Sequence, residues 1–146
     1  MEIIRIFIIL VVIPFVFLFW LCHAVVMMFR ILRFRRIHGI SYLIVYSDSN
    51  QWKSYFENEV IPTFGERAYV INLSTNGEKR NRRNTDWCIY NHCSGGWKNR
   101  FPIVIRFSRI GTWSSVRFYD AFMQSKKGKN RELEKAKAIV KKWARP

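Results

Sequence analysis

A run of 24 residues without a formal charge, Ile6 to Phe29, bounded by Arg5 and Arg30, constrains this chain more than any other feature. At ~1.5 Å rise per residue, about 20 helical residues cross the hydrocarbon core of a bilayer, so the run can span it with some tilt. Pro14 falls inside the run, where it can kink a helix whose freed carbonyl finds another partner. Trp20 lies too deep for an interfacial anchor and reads as lipid-facing or packing bulk. A cleaved signal peptide would have a shorter apolar core of ~7–15 residues ending in small side chains. Cys22-His23-Ala24 fits such a cleavage site poorly, and the basic residues crowd the downstream side. The run is therefore expected to be a retained single-pass anchor. His23 is a costly residue inside a span, and packing against another helix explains it more simply than haem ligation or proton transfer.

The flanks predict an orientation. Upstream stand Arg5 and Glu2; downstream, Arg30, Arg33, Arg35 and Arg36 fall within seven residues. The positive-inside bias sends the N-terminus out and keeps the rest in the cytoplasm. Asn72-Leu73-Ser74 matches a glycosylation sequon, which in this orientation never meets the transferase. The expected division is a transmembrane unit over residues 1–30 (span about 6–29), a basic juxtamembrane segment over 31–39, and a domain over 40–146. The juxtamembrane segment is expected to continue the helix out of the bilayer, its apolar side chains dipping into the interface while its arginines snorkel.

Charge is concentrated on the non-membrane part. The chain has 25 Lys and Arg against 10 Asp and Glu, and only Arg5 and Glu2 precede Arg30, so the whole excess of +15 lies beyond the span. Such a surface attracts polyanions, either the anionic leaflet or nucleic acid. Three cysteines, an odd count, are no disulfide framework, and a domain of roughly 110 residues buries a core without staples.

Within the domain the apolar pattern alternates between strand and helix. Ile40 to Tyr46 is a short apolar run rich in β-branched and aromatic residues, expected to be a buried strand. Ser47-Asp48-Ser49 offers capping oxygens for a helix carrying Trp52, Tyr55, Phe56, Val60 and Ile61, with Pro62 and Gly65 marking its end. Ala68 to Leu73 is a second strand, which makes a βαβ unit with a parallel pair. A short helix is expected around Asp86 to Cys93, then strands at Phe101–Phe107 and Val116–Phe122 joined as an antiparallel hairpin through a loop holding Gly111. A last helix runs from about Arg131 to Ala144, with an apolar stripe at Leu133, Ala136, Val140 and Trp143. The fold class is α/β with a four-stranded mixed sheet.

The order βαβ, short helix, ββα resembles the thioredoxin-like fold. Two details are similar: Pro102 opens the third strand, where thioredoxins place a cis-proline beside the active site, and Pro62 falls in the first helix. The resemblance implies a redox Cys-x-x-Cys between the first strand and first helix. This chain has Ser47-Asp48-Ser49-Asn50 there, so no thiolate is available and the resemblance implies a redox-silent member.

Cys88 and Cys93 flank His92, but zinc sites want four ligands and no second close Cys/His pair exists, so ordinary thiols are the simpler reading. Asp48, just past the first strand, and Pro102 form the candidate ligand site, with helix capping as the plain alternative for Asp48. Asp120 is expected to lie within the fourth strand. No nucleophile–base set, paired carboxylates, phosphate loop or cofactor signature stands out. Three groups of basic residues are candidates for contact with anionic lipid, a reading that ranks equal with a plain solvated face that reinforces topology: Arg30, Arg33, Arg35 and Arg36; Lys79, Arg80, Arg82 and Arg83; Lys126, Lys127, Lys129 and Arg131. Nucleic-acid binding ranks behind lipid contact, because no recognition motif accompanies them and Trp87, Trp97 and Trp113 serve a core as well as a stacking platform. The expected function is a non-catalytic, membrane-anchored interaction module with an unidentified protein partner. The alternatives are an enzyme on a membrane-associated or anionic substrate, or a thiol protein if the domain is extracytoplasmic.

Overall fold

The computed structural model describes residues 12–75, 85–95 and 101–145. Helix α1 spans Ile13–His38 and is long and apolar enough to cross a membrane. It stops at Gly39, whose left-handed backbone (φ 65°) lets its N–H and that of Ile40 return to the Arg35 carbonyl. Strand β1 (Tyr42–Tyr46) follows, then helix α2 over residues 53–64 and strand β2 (Ala68–Asn72). Helix α3 (Thr85–Cys93), strands β3 (Ile103–Phe107) and β4 (Trp113–Arg117), and helices α4 (Tyr119–Ser125) and α5 (Arg131–Ala144) complete the described elements.

The four strands form one mixed sheet in the order β2-β1-β3-β4. β1 pairs with β2 in parallel, Ile44 opposite Val70, while β3 runs antiparallel to both β1 and β4, with Val104 opposite Ile44 and Val116. Every residue of β1 is buried because both faces of the sheet are covered. On one face Tyr42, Ile44, Tyr46, Val104 and Val116 meet Phe56, Val60 and Phe64 of α2, Phe118 and Ala121, and Leu133, Ala136 and Val140 of α5. On the other, Leu43, Val45, Ile103, Ile105 and Phe107 meet Trp87, Ile89, Tyr90 and Cys93 of α3 together with Ile31 and Phe34 of α1.

That second layer corrects the reading of the juxtamembrane segment. The helix does continue past Arg30, but Ile31 is 0% and Phe34 2% exposed, packed on the sheet rather than dipping into lipid. Their i, i+3 spacing puts them on one stripe, and Met27 extends it. α1 crosses the sheet from the β4 side, where Gly111 abuts Met28 and Leu32, to the β2 edge, where the Phe34 and His38 rings meet Tyr69.

Two further expectations are corrected. Of the expected strand Val116–Phe122 only Val116 and Arg117 are in one: β4 begins at Trp113, straight after a tight turn in which Ser108 and Thr112 bond each other. The chain turns helical after Arg117, because Phe118, Ala121 and Phe122 sit at helical spacing and pack on the α2 side; Asp120 therefore lies in α4. Pro62 does not end α2. Without an N–H it cannot bond the Asn58 carbonyl, and the preceding turn, Phe56–Val60, widens to π geometry before the helix closes at Phe64.

Candidate functional site

The candidate residues fall at opposite ends of the sheet. At the end where β1 finishes, register places Tyr46 just beyond the Val45–Ile103 pair, beside Pro102, whose peptide bond to Phe101 is cis. Pro102 is buried, and its carbonyl accepts from Phe118 N–H at 2.8 Å, tying the opening of β3 to the exit of β4. Asp48 stands two residues past β1. Its carboxylate accepts from Asn72 Nδ2 at 2.8 Å and pairs with Lys53 Nζ at 3.2 Å, while its N–H donates to Ser74 Oγ at 2.9 Å. The Asn72 bond, aided by Lys53, holds this carboxyl below the usual carboxylate range.

Asp48 is thus no helix cap. The turn into α2 is closed instead by the Ser49 carbonyl, which accepts from Trp52 and Lys53 N–H, and the Trp52 indole donates to Ser47 Oγ at 3.3 Å. Asp48 laces the exit of β1 to that of β2. An ionised, doubly engaged carboxylate is a poor general acid or nucleophile, and Ser47 and Ser49 have no histidine beside them in these bonds.

Lys126, Lys127, Lys129 and Arg131 are exposed and belong to this same end. They follow α4, whose Tyr119 and Phe122 rings meet Trp52, and a shallow groove there is lined by Gln51, Phe122, Ser125, Lys126 and Leu133. Arg30, Arg33 and Arg36 are exposed along α1, at the other end of the sheet. Arg35 differs from its neighbours: it donates to the carbonyls of Ser108 and Ile40, fastening α1 to the β3–β4 turn. The structure therefore separates the two basic groups and removes Arg35 from the lipid-facing set. Lys79, Arg80, Arg82, Arg83 and Trp97 lie outside the described residues.

Cys88, His92 and Cys93 all ride on α3. Cys93 is buried against the sheet, which pushes its thiol up to about 12. Residues five apart on a helix have Cα atoms about 8–9 Å apart, beyond the ~7 Å limit for a disulfide, so pairing Cys88 with Cys93 requires α3 to unwind. Among the described residues no group of three or more His, Cys, Asp or Glu gathers to hold a metal. His92 points elsewhere: its ring packs between Trp113 (4.7 Å) and His23 of α1 (5.5 Å), tilted 57° and 53° to them. The helix partner expected for His23 is α3 of its own chain.

This stack of His23, His92 and Trp113 was not legible as a unit, because its members are separated by some 70 and 20 positions and come from three elements. The sequon, Asn72-Leu73-Ser74, is likewise occupied: Asn72 and Ser74 are, with Lys53, the partners of Asp48. Comparison of the chain with protein-family models, with curated proteins and with solved structures returns no match.

Proposed function

We propose that the chain is a single-pass membrane protein whose thioredoxin-like domain is a non-catalytic interaction module at the cytoplasmic membrane face. Three features support the fold reading: the strand order β2-β1-β3-β4, β3 as the strand antiparallel to the others, and a cis-proline opening β3. The exposed α1 residues before Met27 support the anchor. Arg30, Arg33 and Arg36 at its base favour a cytoplasmic domain and attract anionic lipid at roughly 1 kcal/mol each.

One observation carries the non-catalytic reading. At the place where the resemblance puts a redox motif, the chain has Ser47-Asp48-Ser49-Asn50, and Asp48 is consumed by Asn72, Lys53 and Ser74. Among the described residues, that end presents Lys126, Lys127, Lys129 and Arg131, beside exposed Asn50 and Gln51 and a Glu132 that pairs with Lys135. Such an end suits an acidic protein partner approaching from the aqueous side.

The test is affinity purification of the full chain in mild detergent. The proposal expects a stoichiometric partner that survives Asp48→Ala and is lost when Lys126, Lys127 and Lys129 are all changed to Glu. A cellular effect abolished by Asp48→Ala, with the protein still folded and membrane-bound, would instead make this end an enzyme site for an anionic substrate.

A further inference from the structure

A domain that touched its anchor only beyond the apolar run would stand clear of the bilayer. Here it does not. The uncharged run ends at Phe29, yet the His92 ring meets that of His23, six residues inside it, at 5.5 Å, and the Trp113 ring meets His92 at 4.7 Å. The β3–β4 turn is seated slightly further out: a Cβ at Gly111 would lie 2.6 Å from Met28 Cγ and 3.1 Å from the Met28 carbonyl. Five residues of helix separate His23 from Met28, so α1 meets His92 roughly 7–8 Å deeper along its axis than it meets the turn. The six residues of helix from His23 to Phe29, the last of the uncharged run, rise roughly 9 Å. His23 thus lies inside the apolar run and near its charged end, with His92 beside it.

The side chains on this rim match an interface. Trp113 is 38% exposed at the edge strand of the sheet, with its ring 4.7 Å from that of His92. Ile110, at the tip of the turn, is 69% exposed, and Arg109 next to it is exposed as well. An indole at the lipid boundary, an apolar tip in the headgroup layer and an arginine for phosphates is the arrangement of an interfacial belt. The span itself has no tryptophan at that level, since Trp20 is deeper.

We infer that the β3–β4 hairpin, through Trp113 and Ile110, is a second membrane contact that seats the domain in the lipid interface beside its own anchor. The inference rests on α1 being a membrane span. The hairpin is held to α1 at two points, by the Gly111 approach and by the Arg35 bond to the Ser108 carbonyl, so the contact is rigid and fixes the domain's tilt on the bilayer. The Lys126–Arg131 end is thereby turned towards the aqueous phase.

The experiment places an environment-sensitive fluorescent amino acid singly at positions 16, 113 and 127 of the full chain. Each protein is reconstituted in vesicles of zwitterionic and anionic phospholipid. Quenching is compared for nitroxide lipids labelled near the headgroup, nitroxide lipids labelled deep in the chain, and aqueous iodide. The inference expects position 113 to be quenched several-fold more by the shallow nitroxide than by iodide, position 127 to show the reverse, and position 16 to answer to the deep nitroxide. A probe at exposed position 110 should repeat the pattern of 113, which covers a failure of the 113 variant to fold. If 113 and 110 answer only to iodide while 16 answers to the deep nitroxide, the span stands and the hairpin contact is wrong. If 16 answers to neither lipid, the span reading falls and the inference with it. Lipid quenching at 113 that disappears as protein density rises would identify a second copy as the true occupant and overturn the assignment.

Discussion

Three side chains bear most of the local argument. Gly111 has φ +86° and no room for a Cβ against Met28, so it joins the hairpin to α1 at a distance only glycine allows. Gly111→Ala is expected to cost at least about 1–2 kcal/mol from the left-handed backbone alone; a melting temperature equal to that of the parent chain would count against the packing. His92 is held below its ordinary value of 6.5, first by burial and then by His23, so the fold prefers its neutral form. The stability it lends is complete above about 6.5 and lost as pH falls through its lowered folded value. Thermal melts between about pH 7.5 and about pH 5.5 should fall with acid, and His92→Gln should flatten that slope; an unaltered slope would remove His92 from the account. Cys93, pushed up to about 12, has almost no thiolate at neutral pH. Maleimide followed by mass mapping should find Cys93 unmodified until the protein is denatured, with Cys88, which is half-buried, the first of the two to react.

At the scale of elements, α1 is two things joined end to end: an exposed apolar rod before Met27 and a core helix after it. Phe34→Ala removes a ring buried among Tyr69, His38 and Phe107 and is expected to cost about 3–5 kcal/mol. A chain beginning at residue 40 should lose cooperative unfolding, whereas one beginning at residue 24 should keep it; cooperative urea unfolding of the shorter chain would refute the shared layer. The sequence showed the sheet well. Continuous apolar runs marked β1 and β3, and period and length marked α5, because burial on both faces, or on one stripe, leaves a direct imprint. It failed where one local pattern served two structures. Val116–Phe122 is as apolar as a strand, and only the tight Ser108–Thr112 turn, which starts β4 early at Trp113, decides that Phe118–Phe122 is helical. Ile31 and Phe34 could as well have faced lipid, since nothing local distinguishes a lipid-facing stripe from a sheet-facing one. Asp48 read as a cap because its partner Asn72 is 24 positions away, and pairing across the parallel β1–β2 register is a tertiary fact.

The molecule as a whole has a polarity. One end of the sheet holds α1, the hairpin, the His23–His92–Trp113 stack and the exposed juxtamembrane arginines. The other holds the cis-proline, the Asp48 network and the Lys126–Arg131 patch. In the proposed reading, anchoring consumes one end and leaves the other to meet a partner, a division that follows from where α1 lands on the sheet. The candidate site was legible as residues but not as an arrangement, because charge counts carry no direction until the fold assigns each lysine an end. The central claim is that the span holds the domain on the cytoplasmic side with this distal end free. It is tested most directly by Lys127→Cys in intact cells, labelled with a membrane-impermeant maleimide and compared with the unsubstituted chain. The account predicts added labelling only after permeabilisation, with no reductant required. Labelling of position 127 from outside the intact cell would contradict it.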